Sequence, residues 1–195
     1  RAGISRKPED SEKKAGLKFY TIGYDGVFVI VNPANPVNDL TLSQVRDIFT
    51  GKITNWKEVG GRDEPILPVT ETLTEKRATQ IVFTEIVMGT DKLLETYGKN
   101  IKQVDQPIDE AEEVATNRNA IAAVSLAFVT KKVKPLMIEG VKPMKANILD
   151  GLYLISRPLV LVTNKNPDGE VLKFIDFMYS DAGQEIVNKY FIGLK

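Results

Sequence analysis

Cysteine and histidine are both absent from the 195 residues. Without them the chain cannot build a Cys–His or Ser–His–Asp nucleophilic site, a thiolate zinc site or an imidazole metal site. No pair of acidic residues stands out for carboxylate catalysis. We therefore expect no enzyme activity, no catalytic residue, no cofactor and no metal. The lack of disulfides is compatible with an oxidising compartment but does not indicate one.

An excess of charge of one sign is also missing, because 26 basic and 26 acidic side chains cancel. Nucleic-acid binding and membrane-surface binding both need a basic excess on one face, so we expect neither. The longest apolar runs, such as residues 27–31, have the length of a strand, as does the run at 159–162, and all are too short to cross a membrane. Any anion site must therefore be local, built from a few donors.

Strand and helix signals alternate along the chain, which indicates an α/β architecture. The β-branched run at residues 27–31 predicts a strand that is buried on both faces. Thr41 to Gln44 form a capping-box pattern ahead of apolar residues at helical spacing. Further helices are predicted over residues 74–88, 109–117, 126–131, 167–178 and 180–190. Further strands are predicted at residues 66–69, 120–124, 135–138 and 153–163.

Helical and strand spacing also predicts which side chains are buried. The set in the middle of the chain is Leu42, Val45, Ile48, Phe49, Ile81, Val82 and Val124. The set in the two C-terminal helices is Val171, Phe174, Ile175, Met178, Ala182, Ile186, Val187 and Tyr190.

Two groups of short motifs are similar to the phosphate-type periplasmic solute-binding proteins, the substrate-binding components of phosphate ABC transporters. The first group is Asn-Pro-Ala-Asn-Pro at residues 32–36 and Phe-Thr-Gly-Lys-Ile-Thr-Asn-Trp at residues 49–56. The second group is Gly-Leu-Tyr at 151–153, Arg-Pro-Leu at 157–159 and Ser-Asp-Ala-Gly-Gln at 180–184. The motifs occur in the order of the family, so the likeness covers nearly the whole chain.

The resemblance implies a type II periplasmic-binding-protein-like α/β fold, with two lobes joined by two crossing segments. We expect the crossings at residues 26–32 and 152–162. The first lobe would combine residues 1–26 with 151–195, and the second, central lobe would span residues 27–150. By comparison with the family, we expect the first lobe to be incomplete on its N-terminal side and to lack its opening strand–helix units and their anion loop.

The resemblance also implies a function. The protein would be an extracytoplasmic or periplasmic solute-binding protein, exported and either lipid-anchored or free. It would capture phosphate or a similar oxyanion between its lobes as a monomer and deliver it to the membrane permease of an ABC importer. The alternative is a degenerate homologue that acts as a sensor or interaction module with another ligand or none.

Oxyanion recognition in this family uses hydroxyls, backbone N–H groups and an arginine that converge from both lobes. The first matching segment places Ser5 and Arg6 at ligand-binding positions. Some relatives have an aspartate at the position of Arg6, and that aspartate requires a proton on the ligand. Because arginine only donates hydrogen bonds, Arg6 cannot make this test, and we expect weak discrimination between phosphate and sulfate.

The second matching segment contributes Thr72, Thr74, Arg77 and Thr79 as candidate ligand-binding donors. The family pattern of Ser-Gly-Thr at a helix start is replaced here by Arg-Ala-Thr at residues 77–79. The lost glycine hinders a close approach of the backbone to an anion. Glu71 and Glu75 add repulsion. A rearranged oxyanion site and a solvated helix start without a ligand both remain open.

Overall fold

The computed structural model describes residues 3–4, 8–90, 92 and 96–195. The chain divides into two units. Unit 1 comprises Arg1–Gly26 and Ser156–Lys195, and unit 2 comprises Val27–Ile155. The chain passes from one unit to the other twice, after Gly26 and after Ile155. Residues 151–155 belong to unit 2, whereas the sequence assigned them to the first lobe.

Tyr153 explains why this segment belongs to unit 2. Its side chain is buried, and its hydroxyl donates a hydrogen bond to the Val27 carbonyl at 3.2 Å. Its ring meets Phe28 edge-on, with 5.8 Å between the centroids. The Val27 N–H in turn donates to the Ile155 carbonyl at 2.9 Å. These contacts tie residues 153–155 to the start of the buried run.

Short strands and helices alternate through the described residues. The strands are β1 (Gly3–Ile4), β2 (Lys18–Val31), β3 (Asp39–Leu40), β4 (Leu67–Glu71), β5 (Lys102–Val104), β6 (Ala120–Ser125), β7 (Lys134–Pro135), β8 (Met137–Ile138), β9 (Ser156–Thr163) and β10 (Ile192–Gly193). The α-helices are α1 (Asp10–Lys14), α2 (Leu42–Phe49), α3 (Ala78–Phe83), α4 (Pro107–Thr116), α5 (Lys145–Leu149), α6 (Gly169–Tyr179) and α7 (Asp181–Val187). Single turns of 3-10 helix occur at Trp56–Val59, Leu73–Glu75 and Leu126–Phe128, and a π-helical turn occurs at Thr84–Met88.

The sheet of unit 1 is antiparallel and centres on β9. The first part of β2 pairs with one edge of β9, and β1 pairs with the other edge. β10 adds to β2 at Gly23 and Tyr24. The register places Asp25 opposite Arg157, and the two side chains form a buried ion pair with Nη2 and Oδ2 2.7 Å apart.

The two C-terminal helices of unit 1 bury less than their sequence pattern predicts. Asp168 and Ser180 cap α6 and α7 by accepting hydrogen bonds from backbone N–H groups. Ile175 and Val187 are buried as predicted. The prediction was wrong for Phe174, Ala182, Ile186 and Tyr190, which are exposed, while Val171 and Met178 are half-buried. Helical spacing identifies the apolar residues of these helices, but their burial depends on which other segments pack against them.

The sheet of unit 2 is mixed and has the strand order β2-β6-β4-β5. β2 runs antiparallel to β6, whereas β4 runs parallel to both β6 and β5. The predicted burial of residues 27–31 on both faces is confirmed, since all five side chains are buried. Helix α4 packs on this sheet against β4, β5 and β6. The candidate ligand segment begins where β4 ends.

Helix α2 forms as its sequence predicts. Thr41 Oγ1 accepts from the Gln44 N–H at 3.1 Å, and Gln44 Oε1 accepts from the Thr41 N–H at 2.9 Å. The helix ends before Gly51, whose φ of 77° lies in the left-handed region that favours glycine. Val45, Ile48 and Phe49 are buried, as is Val124 in β6, while Leu42 at the first turn is half-buried.

Three predicted elements differ from the structure. The single helix predicted over residues 74–88 is broken at Lys76, whose φ of 50° is left-handed, and α3 starts only at Ala78. Within α3, Val82 and Phe83 are buried, whereas Ile81, predicted to be buried, is 38% exposed. The helix predicted near residues 126–131 is a single 3-10 turn. The strand predicted at residues 135–138 is split, because β7 pairs with β2 and β8 pairs with β3.

Ile48 and Ile81 provide a matched test of this core. We expect Ile48→Val to lower the free energy of unfolding by about 0.5–1.5 kcal/mol, because a buried methylene is lost and a small cavity remains. Ile81→Val removes the same group from an exposed position and should change it by less than about 0.5 kcal/mol. Urea unfolding followed by the fluorescence of Trp56, which is buried in unit 2, measures both. Equal losses would contradict the assigned core.

Candidate functional site

The segment at residues 72–79 follows β4 and carries four of the six predicted ligand-binding residues. Thr72 is fixed to β5, because its N–H and its hydroxyl both donate to the Val104 carbonyl, at 2.9 and 3.3 Å. Thr74 is exposed on the 3-10 turn, and Thr79 is half-buried in the first turn of α3. The other two predicted residues, Ser5 and Arg6, lie outside the described residues.

Arg77 is the cation of this segment and is held by several acceptors. Its Nε lies 2.7 Å from Glu75 Oε2 and 3.7 Å from Glu71 Oε1. Its Nη2 donates to the Asp105 carbonyl at 3.0 Å, and its Nη1 lies 3.5 Å from Gln106 Oε1. The guanidinium therefore joins the end of β4, the 3-10 turn and the start of α4. The two glutamates, expected only to repel an anion, are ion-pair partners of Arg77.

Gln80 links residues 72–79 to strand β4. Its Nε2 donates to the Glu71 carbonyl at 2.6 Å and to Thr70 Oγ1 at 3.3 Å. Its Oε1 accepts from the Arg77 N–H at 3.1 Å. The side chain is buried, so these bonds form away from bulk water and are costly to leave unmade. They set the position of the Arg77 backbone relative to β4.

Two buried carboxyl groups lie close to Arg77: Glu71 at the end of β4 and Glu110 in α4. Burial raises the pKa of Glu110 well above its ordinary value, and the charge of Glu71 raises it further. Burial also raises the pKa of Glu71, while the nearby charge of Arg77 lowers it. Sequence reasoning missed Glu110, because the acidic start of α4 is typical of a solvated helix face. The only available signal was its spacing from the apolar residues Ala111 and Val114.

Glu110 makes the stability of unit 2 dependent on pH. Because its pKa is raised in the folded state, its contribution is complete below the ordinary pKa and is lost as the pH rises through the folded pKa. We expect stability to fall with rising pH from about pH 5, with a slope of up to about 1.4 kcal/mol per pH unit for each proton involved. Glu110→Gln should reduce this fall, as measured by urea unfolding at a series of pH values.

The exposed Glu112, on the same helix, supplies the control for Glu110. Glu112→Gln removes the same charge from solvent and should leave the pH profile of the unfolding free energy unchanged. If Glu110→Gln and wild type show the same profile, Glu110 titrates as an ordinary surface carboxyl and the buried pair does not affect stability.

Strand β6 and Trp56 contribute to the core of unit 2. Ile121 and Val124 in β6 are buried, which confirms the burial predicted for Val124. Trp56 is also buried, and its Nε1 donates to the Asn119 carbonyl at 3.2 Å, as expected of a packing residue. Ser125 occupies the N-cap position of a 3-10 turn.

Comparison with known proteins shows the family to which the chain belongs. The profile of the PBP superfamily domain matches residues 2–182. The phosphate-binding protein PstS of Borreliella burgdorferi is 28% identical over 98% of this chain and 71% of its own length. The PstS of Bacillus subtilis is 28% identical over 94% of this chain and 59% of its own length. The chain thus spans between three fifths and about 70% of these two curated relatives.

Solved structures give a closer match. A substrate-binding protein from Clostridium perfringens, assigned to phosphate ABC transporters and solved with bound phosphate, is 39% identical with a TM-score of 0.80. The match covers 99% of this chain and 78% of the Clostridium perfringens chain. An ABC-type phosphate transport receptor from Vibrio cholerae is 31% identical with a TM-score of 0.83, covering 96% of this chain and 77% of its own.

These matches define a substrate-binding protein with the type II periplasmic-binding fold, which confirms the fold predicted from the sequence. Within that class, the chain belongs to the phosphate-type substrate-binding proteins of the PBP superfamily. Of the helices in the described part of the chain, none has the length and apolar character needed to cross a membrane.

Proposed function

We propose that this chain is part of an extracytoplasmic solute-binding protein that captures phosphate or a similar oxyanion for an ABC-type importer. The observation that carries the proposal is its 39% identity, over 99% of its length, to a substrate-binding protein solved with bound phosphate. The membrane permease of the importer is the expected protein partner, and the monomer is the expected form. A binding protein rather than an enzyme fits a chain that has neither cysteine nor histidine.

The segment at residues 72–79 supplies the chemistry for such a ligand. The hydroxyls of Thr74 and Thr79 can donate to anionic oxygens, and that of Thr72 can do so by leaving the Val104 carbonyl. Arg77 adds a guanidinium that suits bidentate pairing with phosphate. Hydrogen bonds to a charged partner contribute about 1.5–3 kcal/mol each, so a few donors suffice for capture. Ser5 and Arg6 are proposed as further donors from the first lobe.

We propose that unit 1, which comprises residues 1–26 and 156–195, forms a partial lobe. Exposed apolar side chains support this: Phe174 in α6, Ile186 in α7, and Tyr190 after α7. A groove of about 380 Å³ lies beside α6 and is also mainly apolar. Its lining includes Leu161 in β9 and Val171 and Ile175 in α6. Such faces are usually covered in a complete domain. The curated relatives are also longer than this chain.

A second function is favoured by one observation, the engagement of Arg77 by Glu75 and Glu71. A guanidinium that is already paired has fewer donors for a ligand, and Ala78 stands where the family pattern has glycine. The alternative is therefore a degenerate homologue that keeps the fold and acts as a sensor or interaction module with another ligand or none.

Isothermal titration separates the two functions. Phosphate, sulfate and chloride are titrated into the chain at equal ionic strength. Capture of an oxyanion predicts saturable binding of phosphate and sulfate, with affinities within about tenfold of each other, or roughly 1.4 kcal/mol. Chloride should give no saturable heat. If neither oxyanion binds, the degenerate homologue is the correct function.

A further inference from the structure

Glu75 and Arg77 form an anion–cation pair inside the candidate ligand segment. The shortest contact in which Arg77 Nε takes part is the one to Glu75 Oε2, at 2.7 Å. The Glu75 side chain is 48% exposed, and that of Arg77 is 29% exposed. The pair is therefore open to solvent on the side of Glu75. A carboxylate and an oxyanion offer a guanidinium the same kind of acceptor, two oxygens that share negative charge.

The other partners of Arg77 are harder to displace. Glu71 is 2% exposed and lies in β4, so it cannot leave without disturbing the sheet. The acceptor at Asp105 is a backbone carbonyl. Glu75 differs from both, since it lies on a single 3-10 turn and is followed by Lys76 in the left-handed conformation. Gln106 Oε1, at 3.5 Å, is a neutral acceptor, so its loss releases no charge. Among the described carboxylate partners of the guanidinium, Glu75 is the one that a soluble anion can replace.

We infer that Glu75 is an internal competitor for the Arg77 guanidinium, so that an oxyanion binds this segment by displacing the Glu75 carboxylate. This inference rests on the proposed capture of an oxyanion and adds a residue that sets its affinity. Binding then exchanges one charge-assisted contact for another instead of adding a new one. Dianionic oxyanions are favoured over singly charged anions, because only they bring more charge to Arg77 than the carboxylate they displace.

The test compares phosphate titrations of wild type, Glu75→Gln and Glu112→Gln at low ionic strength. An exposed ion pair contributes up to about 1 kcal/mol, so neutralising Glu75 should tighten phosphate binding by about two- to fivefold. Glu112 is exposed on α4 and loses the same charge, so its variant should bind like wild type. The gain of Glu75→Gln should shrink as salt is added.

A double-mutant cycle shows whether Glu75 acts through Arg77. In an Arg77→Ala background, Glu75→Gln should give no gain, because no guanidinium remains to be released. An equal gain in both backgrounds would overturn the inference and indicate general repulsion of the anion. If Arg77→Ala binds too weakly to titrate, the NMR signal of the Arg77 Nε–H decides. Phosphate should shift it at a lower concentration in Glu75→Gln than in wild type, and equal concentrations would overturn the inference.

The outcomes also separate the inference from the proposed function. If wild type binds phosphate and Glu75→Gln binds no more tightly, only the inference is wrong. If neither wild type nor Glu75→Gln binds phosphate, both are wrong. If Glu75→Gln binds phosphate and wild type does not, the inference is supported in its strongest form.

Discussion

Replacing Arg157 with leucine should lower the free energy of unfolding of unit 1 by about 3–5 kcal/mol. Asp25 is fully buried and Arg157 is 9% exposed, with Nε and Nη2 donating to the same Oδ2 at 3.1 and 2.7 Å. Without the arginine, the buried carboxylate of Asp25 loses its ion pair with Arg157 in a region that excludes water. Hydrogen exchange of the β9 amides, which pair directly with β2, measures the effect.

Two further variants give this prediction its controls. Lys173 pairs with Glu170 on the surface of α6, and Lys173→Leu should change stability by less than about 1 kcal/mol. The double variant Asp25→Asn, Arg157→Leu removes both charges and should cost less than the sum of the two single changes. Additive losses, or an Arg157→Leu variant as stable as Lys173→Leu, would mean that the buried pair does not hold the strands together.

Arg77→Ala should weaken phosphate binding by about 2–5 kcal/mol, or roughly 30-fold or more. Residues 72–79 contain two cations, the exposed Lys76 and Arg77. The guanidinium of Arg77 contacts carboxylates and a backbone carbonyl near the end of β4. Its removal takes away a donor and leaves the charges of Glu71 and Glu75 facing the anion. Isothermal titration with phosphate measures the loss.

The matched control for Arg77 is Arg118, another arginine of unit 2 that pairs with a glutamate, Glu64. Arg118→Ala removes the same charge outside the candidate segment and should bind phosphate like wild type. The result against the prediction is equal affinity in Arg77→Ala and Arg118→Ala, since Arg77 would then be only a structural partner of the glutamates.

Local patterns predicted the elements that depend on local chemistry. The capping box at Thr41 and the β-branched run of β2 formed as expected, because hydrogen bonds between near neighbours and steric preferences determine them. The burial of Ile81 and of Phe174 depends on what packs against each helix. The helix predicted from residue 74 begins at Ala78 instead, and the sequence of α3 alone does not show which of its faces is covered.

The candidate site was predictable in part for the same reason. Thr72, Thr74, Arg77 and Thr79 are near one another in sequence, so one segment necessarily brings them together. The engagement of Arg77 depends on Asp105 and Gln106, which arrive through the parallel pairing of β4 with β5. Glu110 likewise reaches Glu71 only because α4 packs on β4. Contacts between distant parts of the chain thus decide which charges surround the segment.

The most direct test of the central claim, that an oxyanion binds at residues 72–79, is an NMR titration of the ¹⁵N-labelled chain with phosphate. The account predicts saturable shifts of the amides of residues 72–79 and of the Arg77 Nε–H, and the same set of shifts with sulfate. Chloride at equal ionic strength should leave these signals in place. Phosphate shifts that do not saturate, or that lie wholly outside this segment, would contradict it.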